Sequence, residues 1–267
     1  MKTRLIILLL QAIWMTFGAA AAIAQTDDFD KFGVSLGWFF TDRETDTRFD
    51  STIGSPGTDV DLEEELGLDK TDSAFRVDGY YRFAEKHQIN FSVFDLSREA
   101  TTQIQEDISW DDTVFLLDTV LTTEFDLVIY KIDYTWRFMQ RDKGYLGLTA
   151  GLYIADFDFD LFTTNIDLFE RAGATAPLPV IGLRGEYNFS EKWSFQADGE
   201  IFFFEYENWD GSLYDVYAGL EYQWFEHMGI GVGVNAVKMD LGVTKTVLSG
   251  DLDWEYTGAL LFVRFNF

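Results

Sequence analysis

Ala259-Leu260-Leu261-Phe262-Val263-Arg264-Phe265-Asn266-Phe267 closes the chain and decides how the rest is read. Ala259, Leu261, Val263, Phe265 and Phe267 are apolar at every second position, the repeat of an extended strand whose successive side chains leave on opposite faces. The same alternation runs back through the sequence. Phe75, Val77, Tyr81 and Phe83 stand against Arg76, Asp78, Tyr80 and Arg82. Ile132, Tyr134, Trp136 and Phe138 stand against Lys131, Asp133, Thr135 and Arg137. Further downstream lie Ile181 to Phe189, Trp193 to Ile201 and Met228 to Val234, each with polar residues or glycine in the opposite phase. Two segments change phase partway. Ile89, Phe91 and Val93 give way to Phe94 and Leu96, and Phe125, Leu127 and Ile129 to Tyr130 and Ile132. A β-bulge would absorb such a slip; alternatively, the strand leaves the membrane there and the rule changes.

The connections alternate in length. Ala84–His87, Gln140–Lys143, Ser190–Lys192 and Phe225–His227 are short and polar, while those near 45–71, 104–120, 161–175, 208–212 and 243–251 are generally longer and acidic. Transmembrane barrels place short turns on one side and longer loops on the other. The fold expected is therefore all-β, an antiparallel up-and-down transmembrane β-barrel of ten strands. Eight follow if 208–212 is only a kink. Aromatic residues at strand ends, among them Trp38, Phe39, Trp136, Tyr187, Trp193 and Trp224, fit girdles at the two membrane surfaces.

At the other end, Lys2 and Arg4 precede an apolar run from Leu5 to Phe17, and Ala22-Ile23-Ala24 matches a cleavage pattern. Residues 1–24 read as a signal peptide and 25–267 as the barrel domain. A permanent helical anchor is the competing reading, since Leu5 to Thr26 is uncharged. The chain has no cysteine, which excludes thiol chemistry and disulfides. Twenty Lys and Arg against 46 Asp and Glu give a formal charge of −26, so nucleic acid is not an expected partner. With 17% aromatic residues the chain is not a disordered acidic tail.

The terminal alternation of Leu261, Val263, Phe265 and Phe267, ending on Phe, resembles the insertion signal of Gram-negative outer-membrane proteins. That resemblance implies the cell outer membrane as location and recognition by the barrel-assembly machinery during biogenesis. The whole mature chain, with its Gly-aromatic opening strand Phe32-Gly33-Val34-Ser35-Leu36-Gly37-Trp38 and its first-loop stretch Asp61-Leu62-Glu63-Glu64-Glu65-Leu66-Gly67-Leu68, is similar to the small barrels of the opacity-protein, OmpA-transmembrane and OmpW-like group. Ten strands depart from the eight usual there.

If the apolar phase faces lipid, the opposite phase faces the lumen. It supplies Arg76, Arg82, Lys131, Arg137, Arg184 and Arg264 as cations, and Asp78, Asp133, Glu186, Asp198, Glu200 and Glu221 as anions. The balance points to a paired network filling a narrow lumen. Leu62, Leu66 and Leu68 are expected to pack the first loop onto the rim. Acidic loop residues offer oxygen ligands to divalent cations and, through them, to lipopolysaccharide, although no recognised ligand spacing is present. No catalytic residue, cofactor or resident metal is expected. The two histidines, His87 and His227, sit in short turns rather than at the long-loop rim. The expected role is a structural or surface-interaction barrel with acidic loops; the alternative is a narrow, porin-like, cation-preferring channel for small solutes, and an enzyme comes third.

Overall fold

The computed structural model describes residues 30–50, 57–110, 113–163, 169–206, 209–244 and 249–267; the leader expected over 1–24 lies outside them. The strands are β1 (Phe32–Asp50), β2 (Val60–Asp61), β3 (Thr71–Ala84), β4 (His87–Asp95), β5 (Arg98–Gln103), β6 (Ile108–Trp110), β7 (Thr113–Phe115), β8 (Val120–Arg141), β9 (Gly144–Thr163), β10 (Phe169–Asn188), β11 (Trp193–Tyr206), β12 (Trp209–Phe225), β13 (Met228–Thr244) and β14 (Ser249–Asn266). Neighbours pair antiparallel from β14 back through β8 to β4, β3 and β1, and β14 pairs with β1 to close the wall. β4 and β5 are two parts of one interrupted wall strand, since both pair with β8. The wall has ten strands. Tyr206 pairs directly with Trp209, so β11 and β12 form a true hairpin and the eight-strand count does not apply.

Closure uses the end of the chain. Phe32 N–H donates to Phe267 O at 2.9 Å, and Phe267 N–H donates to Phe32 O at 2.7 Å. The wall thereby closes on itself, and the open edge that would otherwise leave backbone groups unsatisfied in lipid is removed.

Several strands are longer than a membrane requires. β8 has 22 residues and β9 and β10 have 20 each, against about 9–11 for a tilted span. Much of what the composition marks as loop is wall: 169–175 belongs to β10, and all of 249–251 to β14. The long connection 104–120 carries its own hairpin, β6–β7.

The phase changes in β4 and β8 involve no slip of register. Val93 pairs with Tyr130 and Phe94 with Ile129, without interruption. What changes is the polarity of the two faces. Near the short turns, Trp136, Tyr134, Ile132 and Tyr130 point outward, and Arg137, Thr135, Asp133 and Lys131 inward. Higher up the same strand, Asp126 and Glu124 take the outward phase, and Ile129, Leu127 and Phe125 are buried inside. β1 and β14 do the same. Trp38 and Phe40 are followed on the outer face by Asp42, Glu44 and Asp46, and Leu261 and Ala259 by Glu255, Asp253 and Asp251. The lower half is therefore built for lipid outside and polar groups inside; the upper half has the opposite arrangement, that of a water-soluble sheet. Phe39, expected in a girdle, sits in the inward phase and is fully buried.

Candidate functional site

The lumen has two chambers. The upper one is packed with apolar side chains from the wall, including Phe39, Leu127, Phe159, Met239 and Trp254. The first long connection fills its centre. Asp61 Oδ1 accepts the N–H groups of Glu63 at 2.9 Å and Glu64 at 2.7 Å, which caps a single helical turn. This turn drives Leu62 and Leu66 into the barrel, where both are fully buried with Leu68 close behind. The leucines thus enter the lumen instead of resting on the rim. A buried pair between Arg98 and Glu63 pins the turn. Glu63 also accepts the Thr45 N–H at 2.9 Å, and Arg98 donates to Thr45 Oγ1 at 2.8 Å. Arg43 donates to Leu96 O at 2.7 Å and faces Asp72 at 3.2 Å. Its pKa is lowered by burial and by the nearby charge of Arg98.

Below this plug lies a polar cavity of about 660 Å³ that reaches the short-turn end of the barrel. Its roof is a connected ionic network. Lys131 Nζ lies 2.8 Å from Glu200 and 2.6 Å from Asp215. Arg184 faces Asp133 at 3.3 Å, Asp198 at 3.8 Å and Glu200 at 3.9 Å. Arg76 pairs with Asp78 at 2.9 Å and donates to Asn235 Oδ1 at 2.8 Å. Asn235 donates in turn to Asp215 at 2.6 Å, while Tyr256 O–H donates to Asn235 at 2.9 Å. Arg264 pairs with Glu221 at 2.9 Å and donates to Ser35 at 2.8 Å.

All twelve lumen residues named from the sequence lie in the inward phase, and nine take part in these pairs. The other three are lower down. Arg82 and Glu186 line the cavity, and Arg137 stacks on Tyr145 with its guanidinium carbon 3.7 Å from the ring centre. Asp215 and Asn235, which bridge Lys131 to Arg76, were not among the expected set. The signal was present for Asp215, which is in phase with Glu221 and lies between outward Tyr214 and Val216. Nothing in the sequence marks Asn235 as a bridge, because that depends on which strands face one another across the lumen.

Outside the wall, above the apolar belt, carboxylates meet in register. Glu44 is opposite Glu255, and Asp46 and Asp240 are each opposite Asp253. Glu124 is opposite Asp160, and Asp126 opposite Asp158. Like charges directly across a ladder destabilise it. Lys238 lies 3.5–3.8 Å from Asp240, Asp253 and Glu255 and offsets part of the repulsion. Asp253 has its pKa pushed up to about 6, through a hydrogen bond shared with Asp240, partial burial and the Asp240 charge. Among the described residues, no group of three or more His, Asp or Glu side chains is arranged to hold a metal ion.

The histidines lie at the short-turn end among aromatic rings. His87 Nδ1 is 2.5 Å from Tyr134 O–H and stacks with Phe83 and Tyr134. His227 stacks on Phe267.

No protein-family model matches the chain, and no curated protein matches it in sequence. Among solved structures it is similar to the outer membrane protease OmpT of Escherichia coli, with a TM-score of 0.56, 12% identity, and coverage of 91% of this chain and 99% of that one. Neisserial surface protein A aligns with a TM-score of 0.34 at 10% identity, over 88% of this chain and 97% of its own. Ail, the attachment invasion locus protein of Yersinia pestis, gives 0.35 at 12% identity, over 89% and 99%. The likeness to OmpT is one of fold, and the other two superpose too loosely to add to it. The chain is a closed ten-stranded antiparallel barrel whose outward-facing apolar belt suits a wall set in lipid, and it shares that fold with OmpT.

Proposed function

We propose that the protein is a closed barrel of structural or surface-interaction type, which uses its lumen for stability and its outer end for contact. The observation that carries this reading is the apolar plug. Leu62, Leu66, Phe39 and Trp254 are essentially inaccessible to solvent, so the polar cavity beneath them is a blind cup facing the periplasm. A continuous water path for ions would require that packing to come apart. The stacking of both histidines on aromatic rings at the periplasmic end favours a non-catalytic reading over a hydrolase. The acidic collar and loops would meet lipopolysaccharide and the medium, with divalent cations bridging carboxylates to phosphates. The terminal strand would be what the barrel-assembly machinery recognises.

A narrow channel is the second reading, favoured by the size and polarity of the periplasmic cup. Planar-bilayer recording of the folded, heat-modifiable protein separates the two. The closed-barrel reading expects a silent bilayer at both polarities. Reproducible unitary steps from the wild-type protein would replace it with the channel.

A further inference from the structure

The outer surface of β9, β10 and β11 has an apolar groove of about 530 Å³ close to the turn between β8 and β9. Its floor is made of small residues in the lipid-facing phase. Gly185 is paired with Ala197, and Gly199 is paired with Leu183. Leu146, Tyr187 and Phe195 stand around it. The two glycines are not required by the wall. A Cβ at Gly185 would meet nothing nearer than 3.4 Å, and one at Gly199 nothing nearer than 4.0 Å. By contrast, a Cβ at Gly151 or Gly182, in the inward phase, would run into the backbone of the neighbouring strand. Glycine inside a strand loses packing and costs conformational entropy, and it often marks a place where something else approaches closely.

The lower end of the groove is cationic. Arg141 and Lys143 both line it and are exposed, at the level where the wall meets the periplasmic head groups. An apolar slot in the hydrocarbon with two cations at its polar end is complementary to an acyl chain joined to a phosphate. We infer that this groove is a binding site for one glycerophospholipid of the periplasmic leaflet, its acyl chain lying over Gly185 and Gly199 and its phosphodiester held by Arg141 and Lys143. The outer leaflet is excluded as the source by depth, because the groove adjoins a periplasmic turn.

The test is native mass spectrometry, with lipid extraction, of the protein reconstituted in mild detergent with phosphatidylglycerol or phosphatidylethanolamine. Wild type is expected to retain one phospholipid per barrel. Gly185→Leu/Gly199→Leu is expected to lose it while keeping heat-modifiable migration. Arg141→Gln/Lys143→Gln, at the exposed end of β8 and in the turn that follows it, leaves the wall's packing untouched and is expected to lose retention as well. Retention by the charge variant equal to wild type, or a wild-type barrel that holds detergent or lipid A but no phospholipid, would overturn the assignment.

Discussion

Lys131 shows how the lower lumen is held. Its ammonium sits between Glu200 and Asp215 with its side chain 7% exposed, so three charges share a site largely removed from water. Removing the cation alone leaves two carboxylates facing each other, with only Arg184, 3.9 Å from Glu200, and the Asn235 amide, 2.6 Å from Asp215, to offset their charge. Lys131→Met should destabilise the barrel by about 3–5 kcal/mol, the cost typical of breaking a buried pair from one side. Urea unfolding of the refolded protein in detergent would measure it. Adding Glu200→Gln and Asp215→Asn should restore most of the loss, since the neutral set no longer carries an uncompensated charge. Asp253, above the membrane, has its pKa raised because the hydrogen bond with Asp240, partial burial and the Asp240 charge outweigh the nearby Lys238. Its folded pKa of about 6 is above the ordinary value of 3.8. The stability it contributes is therefore fully present below about pH 4 and is lost as pH rises through about 6. Asp253→Asn should raise the melting temperature at pH 7 and flatten the profile between pH 4 and 6; an unchanged profile would rule out this pair as its source. Residue chemistry was legible in the sequence wherever alternation was clean. Arg76, Lys131 and Glu200 are in the inward phase by simple counting, but their partners across the lumen depend on closure, which no local pattern encodes.

Among the elements, the capped turn at 61–66 does most to set the character of the outer end. A run of acidic residues around three leucines looks like a loop resting on a rim. The three-dimensional arrangement instead gives Leu62 and Leu66 a closed apolar chamber, because the wall above the membrane is itself apolar inside. Leu66→Ala should cost about 2–5 kcal/mol, as for other large-to-small changes in packed interiors. Leu66→Asp should go further and admit ions, seen as conductance in a bilayer where the wild type is silent. If Leu66→Asp folds and the bilayer remains silent, the plug is not the barrier. The strand ends were less legible than the strands. Segments 169–175 and 249–251 read as loop because Gly, Ala and Asp are poor markers of strand. They continue as wall because pairing with β9 and β13 carries them past the lipid.

On the scale of the whole molecule, the barrel joins two solvents in one sheet. The alternation of short and long connections and the apolar terminal strand fit a barrel wall set in lipid, and each could be read directly. The apparent phase slips at Phe94 and Ile129 were the sequence's record of the membrane surface. They could not be told from bulges until the uninterrupted pairing of β4 with β8 showed the backbone continuous through them.

That reversal of faces also bears on how the chain reaches its place. Asp42, Glu44, Asp126, Asp156, Asp158, Asp253 and Glu255 all project from the outer surface above the belt. To arrive there from the periplasm they must pass through hydrocarbon, where each carboxylate is unwelcome. Once through, they resist a return journey for the same reason. The collar therefore acts as a stop: a finished barrel cannot sink or be withdrawn without dragging its acidic ring into the bilayer.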